Sequence, residues 1–197
     1  IALSLASGDP DVIRNYGYVM SSIGKPEEAL RYVDEALALD PLNWASHRAH
    51  VSVLFHARRY EEAVRYSLKL KQDSPELFRF PVLLGHSLLM LGRTKEAVLA
   101  FGQDITGEAL LAARAGNREL ALAKLAALKE RDREFGSYDS ARIYAQLGDK
   151  DAAFEALNRA WEVRDSSLLQ LKVDPFLDPL RGDSRYAALV ERLGLPA

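Results

Sequence analysis

The chain contains no cysteine. That absence removes disulfide frameworks, thiolate zinc sites, iron–sulfur clusters and thiol nucleophiles together. It leaves the compartment open, with the cytoplasm expected and the periplasm allowed. An excess of charge of one sign is also missing: 26 Lys and Arg stand against 28 Asp and Glu, for a net charge of -2. No field of that size points to nucleic acid or to an anionic membrane. Long apolar runs are lacking as well. Stretches such as Val82–Leu84 and Leu88–Leu91 fall far short of the ~20 residues a membrane helix needs. Twelve Gly and eight Pro are about average usage, which excludes collagen-like and low-complexity classes. What is present is 48% apolar residues in a chain of 197, enough to build a core. The sequence begins at Ile1 without Met or a basic leader, and Ile1–Ala6 reads as the last turns of a helix already under way. The expectation is a fragment of a longer protein.

Self-similarity is the dominant signal, and its period is 34: Ala29, Ala63 and Ala97 each follow a charged pair, Pro41 and Pro75 keep the same spacing, and Gly17/Gly85 and Gly24/Gly92 differ by twice that period. A fixed period of this length decides the architecture before any local assignment. Each unit reads as two amphipathic helices. Ile13, Tyr16, Gly17 and Met20 share one face of the first. Gly24-Lys25-Pro26 breaks it, Glu27 and Glu28 fall in the first turn of the second, where the helix dipole favours carboxylates, and Asp40-Pro41 ends the pair. Small residues at Gly17 and Ala29 suit two closely crossing helices.

Gly17, Ala29, Ala36 and Pro41, then Trp44, Ala63 and Pro75, then Gly85, Ala97 and Phe101 resemble the tetratricopeptide (TPR) repeat signature. The resemblance implies an all-α, right-handed α-solenoid of helix-turn-helix repeats. Residues 10–104 form three regular repeats, 105–134 a shortened helical pair, 135–165 a further repeat and 166–197 a capping tail, all in one solenoid spanning 1–197. The second unit departs from the pattern, with Val51 and Arg58 where the others carry Gly, which predicts a looser helix crossing there. Past Asp104 the second-helix anchor persists as Ala121 and Ala153. The shortened pair leaves room for a first helix of about two turns near Glu108–Ala115. Asp174-Pro175 and Asp178-Pro179 predict two turns. A final helix then carries Tyr186, Leu189, Val190 and Leu193 as a lid over Phe154, Leu157 and Trp161. This ending is similar to the C-terminal end of TPR regions in bacterial multidomain regulators, where the repeats follow a winged-helix DNA-binding domain, a nucleotide cyclase or a protein kinase.

No catalytic constellation emerges. His47 and His50 have a spacing that can hold a metal, but no third ligand is placed beside them, and the register puts both on the packing side, equivalent to Ile13 and Tyr16. Structural, partly buried histidines are expected, with no metal and no cofactor. Acidic pairs such as Glu27-Glu28 and Glu61-Glu62 recur at helix starts, where neighbours point about 100° apart instead of converging on one proton. Gly85-His86-Ser87 starts like a nucleophile elbow but lacks its final Gly and lies inside a repeat helix.

In a stack of helical pairs the first helices line the concave face. The 34-residue register then gives the stripe Arg14, Tyr18, Ser21 and Ser22 in the first unit, Arg48, Ser52, Phe55 and His56 in the second, and Val82, His86, Leu89 and Met90 in the third, with Asp11, Ala45 and Arg79 at its mouth. The candidate partner-binding residues are Arg14, Tyr18, Ser22, Arg48, Ser52, Phe55, His56, Arg79, His86 and Met90. Their mixture of Arg, Tyr, His and apolar groups suits an extended or helical peptide. The carboxylate-clamp subset of TPR proteins requires Lys and Asn where this chain has Arg14 with Tyr18, Ser52, and Val82 with His86, so a chaperone-tail clamp is not expected. The function expected is protein–protein interaction or scaffolding in a bacterial regulator, without catalysis, nucleic-acid binding or membrane insertion by this segment. Two alternatives stay open: the regulatory C-terminal region of a cyclase or kinase, and self-association through an uncovered repeat end.

Overall fold

The computed structural model describes residues 8–132 and 136–195. The helix end expected at Ile1–Ala6 lies outside the described residues. Every regular element among those described is helical: α1 (Pro10–Ser22), α2 (Pro26–Leu39), α3 (Trp44–His56), α4 (Tyr60–Asp73), α5 (Pro81–Met90), α6 (Thr94–Phe101), α7 (Ile105–Arg114), α8 (Arg118–Asp132), α9 (Ser137–Gln146), α10 (Lys150–Glu162) and α11 (Ser184–Arg192), with 3-10 turns at Ser166–Gln170 and Pro175–Leu180. The chain is an all-α protein of antiparallel helix pairs, the architecture of an α-solenoid. It divides into two compact units, Ile1–Ala100 and Phe101–Ala197.

Local chemistry sets the helix ends. The Asp9 carboxylate accepts from the amides of Asp11 and Val12, Asn43 accepts from Ala45 and Ser46, and Asp149 accepts from Ala152, each satisfying donors that the first turn leaves unpaired. α7 starts three residues earlier than the repeat spacing predicts because Asp104 caps it, accepting from the Gly107 amide at 2.7 Å. Between the helices of a pair the chain passes through a left-handed residue, Gly24 at φ 83° and Gly92 at φ 73° in the flanking repeats. In the second repeat Arg58 takes that conformation at φ 65°. A side chain there costs what glycine avoids. Arg58→Gly is expected to raise the stability of the first unit by about 1 kcal/mol, read from the shift in a urea midpoint.

In the first unit the core gathers Met20, Ala29, Leu30, Val33, Ala49, Val51, Leu54, Ala63 and Phe80. Gly17 sits where a Cβ would meet Val33 Cγ2 at 2.9 Å and the Ala29 carbonyl oxygen at 3.0 Å. The backbones of α1 and α2 accordingly lie together along much of their length, whereas α3 and α4, with Val51 in the glycine's place, approach closely at fewer positions. Gly17→Ala is therefore an overpacking change, expected to cost about 1–3 kcal/mol and to lower the melting temperature.

In the second unit α9 and α10 form the best-packed pair with α7 and α8, and the tail completes the core. Phe154, Leu157, Leu168, Leu171, Leu177, Leu180, Tyr186 and Leu189 are buried together, with Trp161, Val190 and Leu193 packed against them. The two Asp-Pro turns merge into one 3-10 stretch, Pro175–Leu180, capped by Asp174 accepting from the Phe176 amide at 2.9 Å. That stretch, and not the final helix alone, carries Phe176, Leu177 and Leu180 fully out of solvent.

Candidate functional site

α1, α3 and α5 lie side by side in the first unit, so the stripe read from the repeat register falls on adjacent helices. Its residues divide into two groups. Ser22, Ser52, Phe55 and His86 are buried between helices. The Phe55 ring is 1% exposed and lies 5.8 Å from the His86 ring, packing α3 against α5. Arg14, Tyr18, His56 and Met90 are half-buried, and Arg48 and Arg79 are exposed. The accessible face is thus narrower than the register alone implies, and its polar groups cluster toward the N-terminal ends of the three helices.

A continuous set of contacts runs across that end. Arg14 pairs with Asp11 one turn away. Asp11 also accepts from Asn43 Nδ2 at 3.2 Å, tying α1 to the cap of α3. Next to that cap Trp44 is 40% exposed, and the Arg79 guanidinium lies 5.9 Å from the centre of its ring, where the indole quadrupole attracts a cation. Arg48 stands four residues beyond Trp44, on the same helical face. It makes no ion pair or hydrogen bond to any described residue. Of the three guanidinium groups at this end only Arg14 is ion-paired, to Asp11, while Arg48 and Arg79 form no ion pair with a described residue. Trp44 was legible in the sequence only as part of a fold signature; its role here depends on Arg79 arriving from α5.

Both histidine rings are engaged by neighbouring side chains and backbone of the first unit. Only the donor role is open to His47 Nε2, 2.9 Å from the Pro41 carbonyl oxygen, so Nδ1 accepts from the Tyr66 hydroxyl at 2.6 Å. His50 Nδ1 lies 2.9 Å from Asp34 Oδ1, and its ring stacks on Tyr66 at 4.3 Å. Burial, followed by Asp34, pushes the Tyr66 hydroxyl up to about 12. Among the described residues no three His, Asp or Glu side chains converge as metal ligands. Burial lowers the His50 pKa despite the opposing pull of Asp34. The native state then binds this proton less readily than the unfolded chain. Its contribution to stability is complete above the unfolded value of about 6.5 and is lost as pH falls through the lower folded value. Thermal melts from pH 7.5 to 5 are expected to show falling stability, with a shallower slope in His50→Gln.

The second unit holds a charged cluster that sequence reasoning missed. Tyr138, Arg142 and Gln146 lie one turn apart on α9. Asp174, 1% exposed, accepts from the Tyr138 hydroxyl at 3.1 Å, and Arg142 Nε lies 3.2 Å from the same oxygen, an ion-pair distance without hydrogen-bond alignment. Arg142 also donates to Asp139 at 2.9 Å, and its guanidinium sits 4.6 Å above the Phe176 ring. Gln146 Nε2 donates to the Phe176 carbonyl oxygen at 2.7 Å. Burial, reinforced by Asp174, holds the Tyr138 hydroxyl well above its ordinary pKa. Burial would lower the Arg142 guanidinium, but Asp174 and Asp139 more than reverse that, so it stays firmly charged. No helix among the described residues is long and apolar enough to cross a membrane.

A family-model match agrees with the helical-pair architecture of the second unit. Residues 137–166, the α9–α10 pair, match the tetratricopeptide repeat family model. No curated protein matches the chain. Among solved structures the chain is similar to YrrB, a TPR protein with an unusual peptide-binding site, at 24% identity over 87% of this chain and 94% of that one, with a TM-score of 0.43.

Proposed function

We propose that the chain is a non-catalytic interaction module that binds a peptide or protein segment on the α1, α3 and α5 face of the first unit, as part of a bacterial regulatory protein. One observation carries the reading: a half-exposed Trp44 flanked by Arg79 and by the uncompensated Arg48. Trp, Tyr and Arg dominate binding hot spots because they combine large contact area with directional hydrogen bonding. No ion pair or hydrogen bond among the described residues gives Arg48 a part in holding the fold together. Half-buried Tyr18, His56 and Met90 extend the same face along α1, α3 and α5.

A photoreactive amino acid at position 48 should capture the partner from a lysate, whereas the same group at exposed Lys69 on α4 should not. With the captured partner in hand, Arg48→Ala or Tyr18→Ala is expected to weaken binding by about 1–2 kcal/mol with the melting curve unchanged. Capture through position 69 and not 48 would move the site to the second helices.

A further inference from the structure

The repeat register relates the open face of the first unit to the charged cluster of the second. Counting back fifteen, eleven and seven residues from the anchor Ala29 gives Arg14, Tyr18 and Ser22, and from Ala63 it gives Arg48, Ser52 and His56. From Ala153 the same steps give Tyr138, Arg142 and Gln146. In the last repeat these three positions are occupied by the chain's own Asp174-Pro175-Phe176. Tyr138 and Arg142 engage the carboxylate, Arg142 covers the aromatic ring, and Gln146 holds the backbone carbonyl. The stripe thus grips an acidic side chain with an aromatic residue two positions on. The aspartate presets that geometry by accepting from the Phe176 amide.

The corresponding face of the first unit offers related groups. Arg14 and Tyr18 present a guanidinium and a phenol in the reverse order. Arg48 presents a guanidinium with no carboxylate partner, and Trp44 with Arg79 supplies an aromatic and cationic wall. Asp11 is already engaged by Arg14 and Asn43 and Asp9 by the amides it caps, so the arginines left without a carboxylate partner among the described residues are Arg48 and Arg79. A basic segment would meet two guanidinium groups that no described carboxylate pairs with, and a wholly apolar one would leave Arg48 desolvated and unpaired.

From this correspondence we infer that the first unit recognises a segment of the same chemistry as the internal one, an Asp or Glu followed within two residues by an aromatic side chain, supplied by a partner protein. The inference rests on the proposed binding face and adds its specificity. Arg48 takes the carboxylate, and Trp44 takes the ring.

The test uses the 197-residue chain with Trp161→Phe, which leaves Trp44 as the sole tryptophan. Three peptides are titrated while its fluorescence is followed: the sequence of residues 172–180, Lys-Val-Asp-Pro-Phe-Leu-Asp-Pro-Leu, the same peptide with both Asp replaced by Lys, and the same with both replaced by Ala. The acidic peptide is expected to saturate the signal at a concentration at least tenfold below either of the others. Arg48→Glu should abolish that preference or invert it toward the lysine peptide. Equal saturation by all three peptides would overturn the acidic specificity while leaving the face a peptide site. Saturation by none would overturn the specificity and the binding face together. A preference that survives Arg48→Glu and Arg79→Glu would overturn the assignment of the carboxylate to these arginines.

Discussion

Asp174→Ala is expected to destabilise the second unit by about 3 kcal/mol, the combined cost of removing one of the two carboxylates that hold the Arg142 charge and of leaving two donors without an acceptor. Asp174 is 1% exposed and the Arg142 side chain 11%. Without the carboxylate, Arg142 keeps only Asp139, the Tyr138 hydroxyl loses its acceptor, and the Phe176 amide loses the oxygen that caps the 3-10 stretch. An unsatisfied buried donor costs about 1–3 kcal/mol by itself. Asp174→Asn separates charge from hydrogen bonding: the amide oxygen can still cap Phe176, so a loss close to that of the alanine variant would make charge the dominant contribution. Arg142→Met alone and with Asp174→Ala completes a double-mutant cycle in urea denaturation. If the pair is held mainly by mutual compensation, the double variant recovers much of the loss of the Asp174 single variant. If the four stabilities add, the two residues do not act as a pair.

Removal of residues 174–197 is expected to unfold the second unit altogether. The deleted stretch buries Phe176, Leu177 and Leu180 completely and Tyr186 and Leu189 nearly so. At about 1.5–3 kcal/mol for each large apolar side chain, their combined burial rivals the entire ~5–15 kcal/mol by which a domain is stable. The truncation would also uncover Phe154, Leu157 and Leu171, which pack against the tail, leaving an apolar patch prone to association. In a Trp44→Phe background, the emission of Trp161, held 4.3 Å from the Arg192 guanidinium, should shift to the red and the chain should become sensitive to protease beyond α7. A truncated chain with native Trp161 emission and an unchanged melt would make the tail an appendage instead of part of the core.

The repeat anchors were legible because they are a local property. Ala29, Ala63, Ala97, Ala121 and Ala153 are all 0% exposed, and their spacing with the Asp, Asn, Gly and Pro punctuation between helices is enough to place the pairs. Each depends on which face of one helix meets its immediate neighbour in sequence, and a 3.6-residue period records that directly. The register also gives which residues of one first helix share the stripe facing the next first helix.

What the stripe does was not legible. Whether Phe55 and His86 line a surface or fill the space between α3 and α5 depends on the rotation and separation of two helices about 30 residues apart in sequence, which one-dimensional periodicity leaves undetermined. The meeting of Trp44 with Arg79, and of Asp11 with Asn43, is decided by the same crossing geometry. Asp174 is the sharpest case. Its sequence context, Asp-Pro, announces only a turn, and nothing local says that the turn lands on Tyr138 and Arg142. That contact exists because burial of Phe176, Leu177 and Leu180 draws the tail onto α9. A carboxylate carried into a dry core must be paired there. The sequence by itself determined the repeat and its helices, while only the tertiary structure decided which polar residues became buried partners and which, like Arg48, were left facing outward.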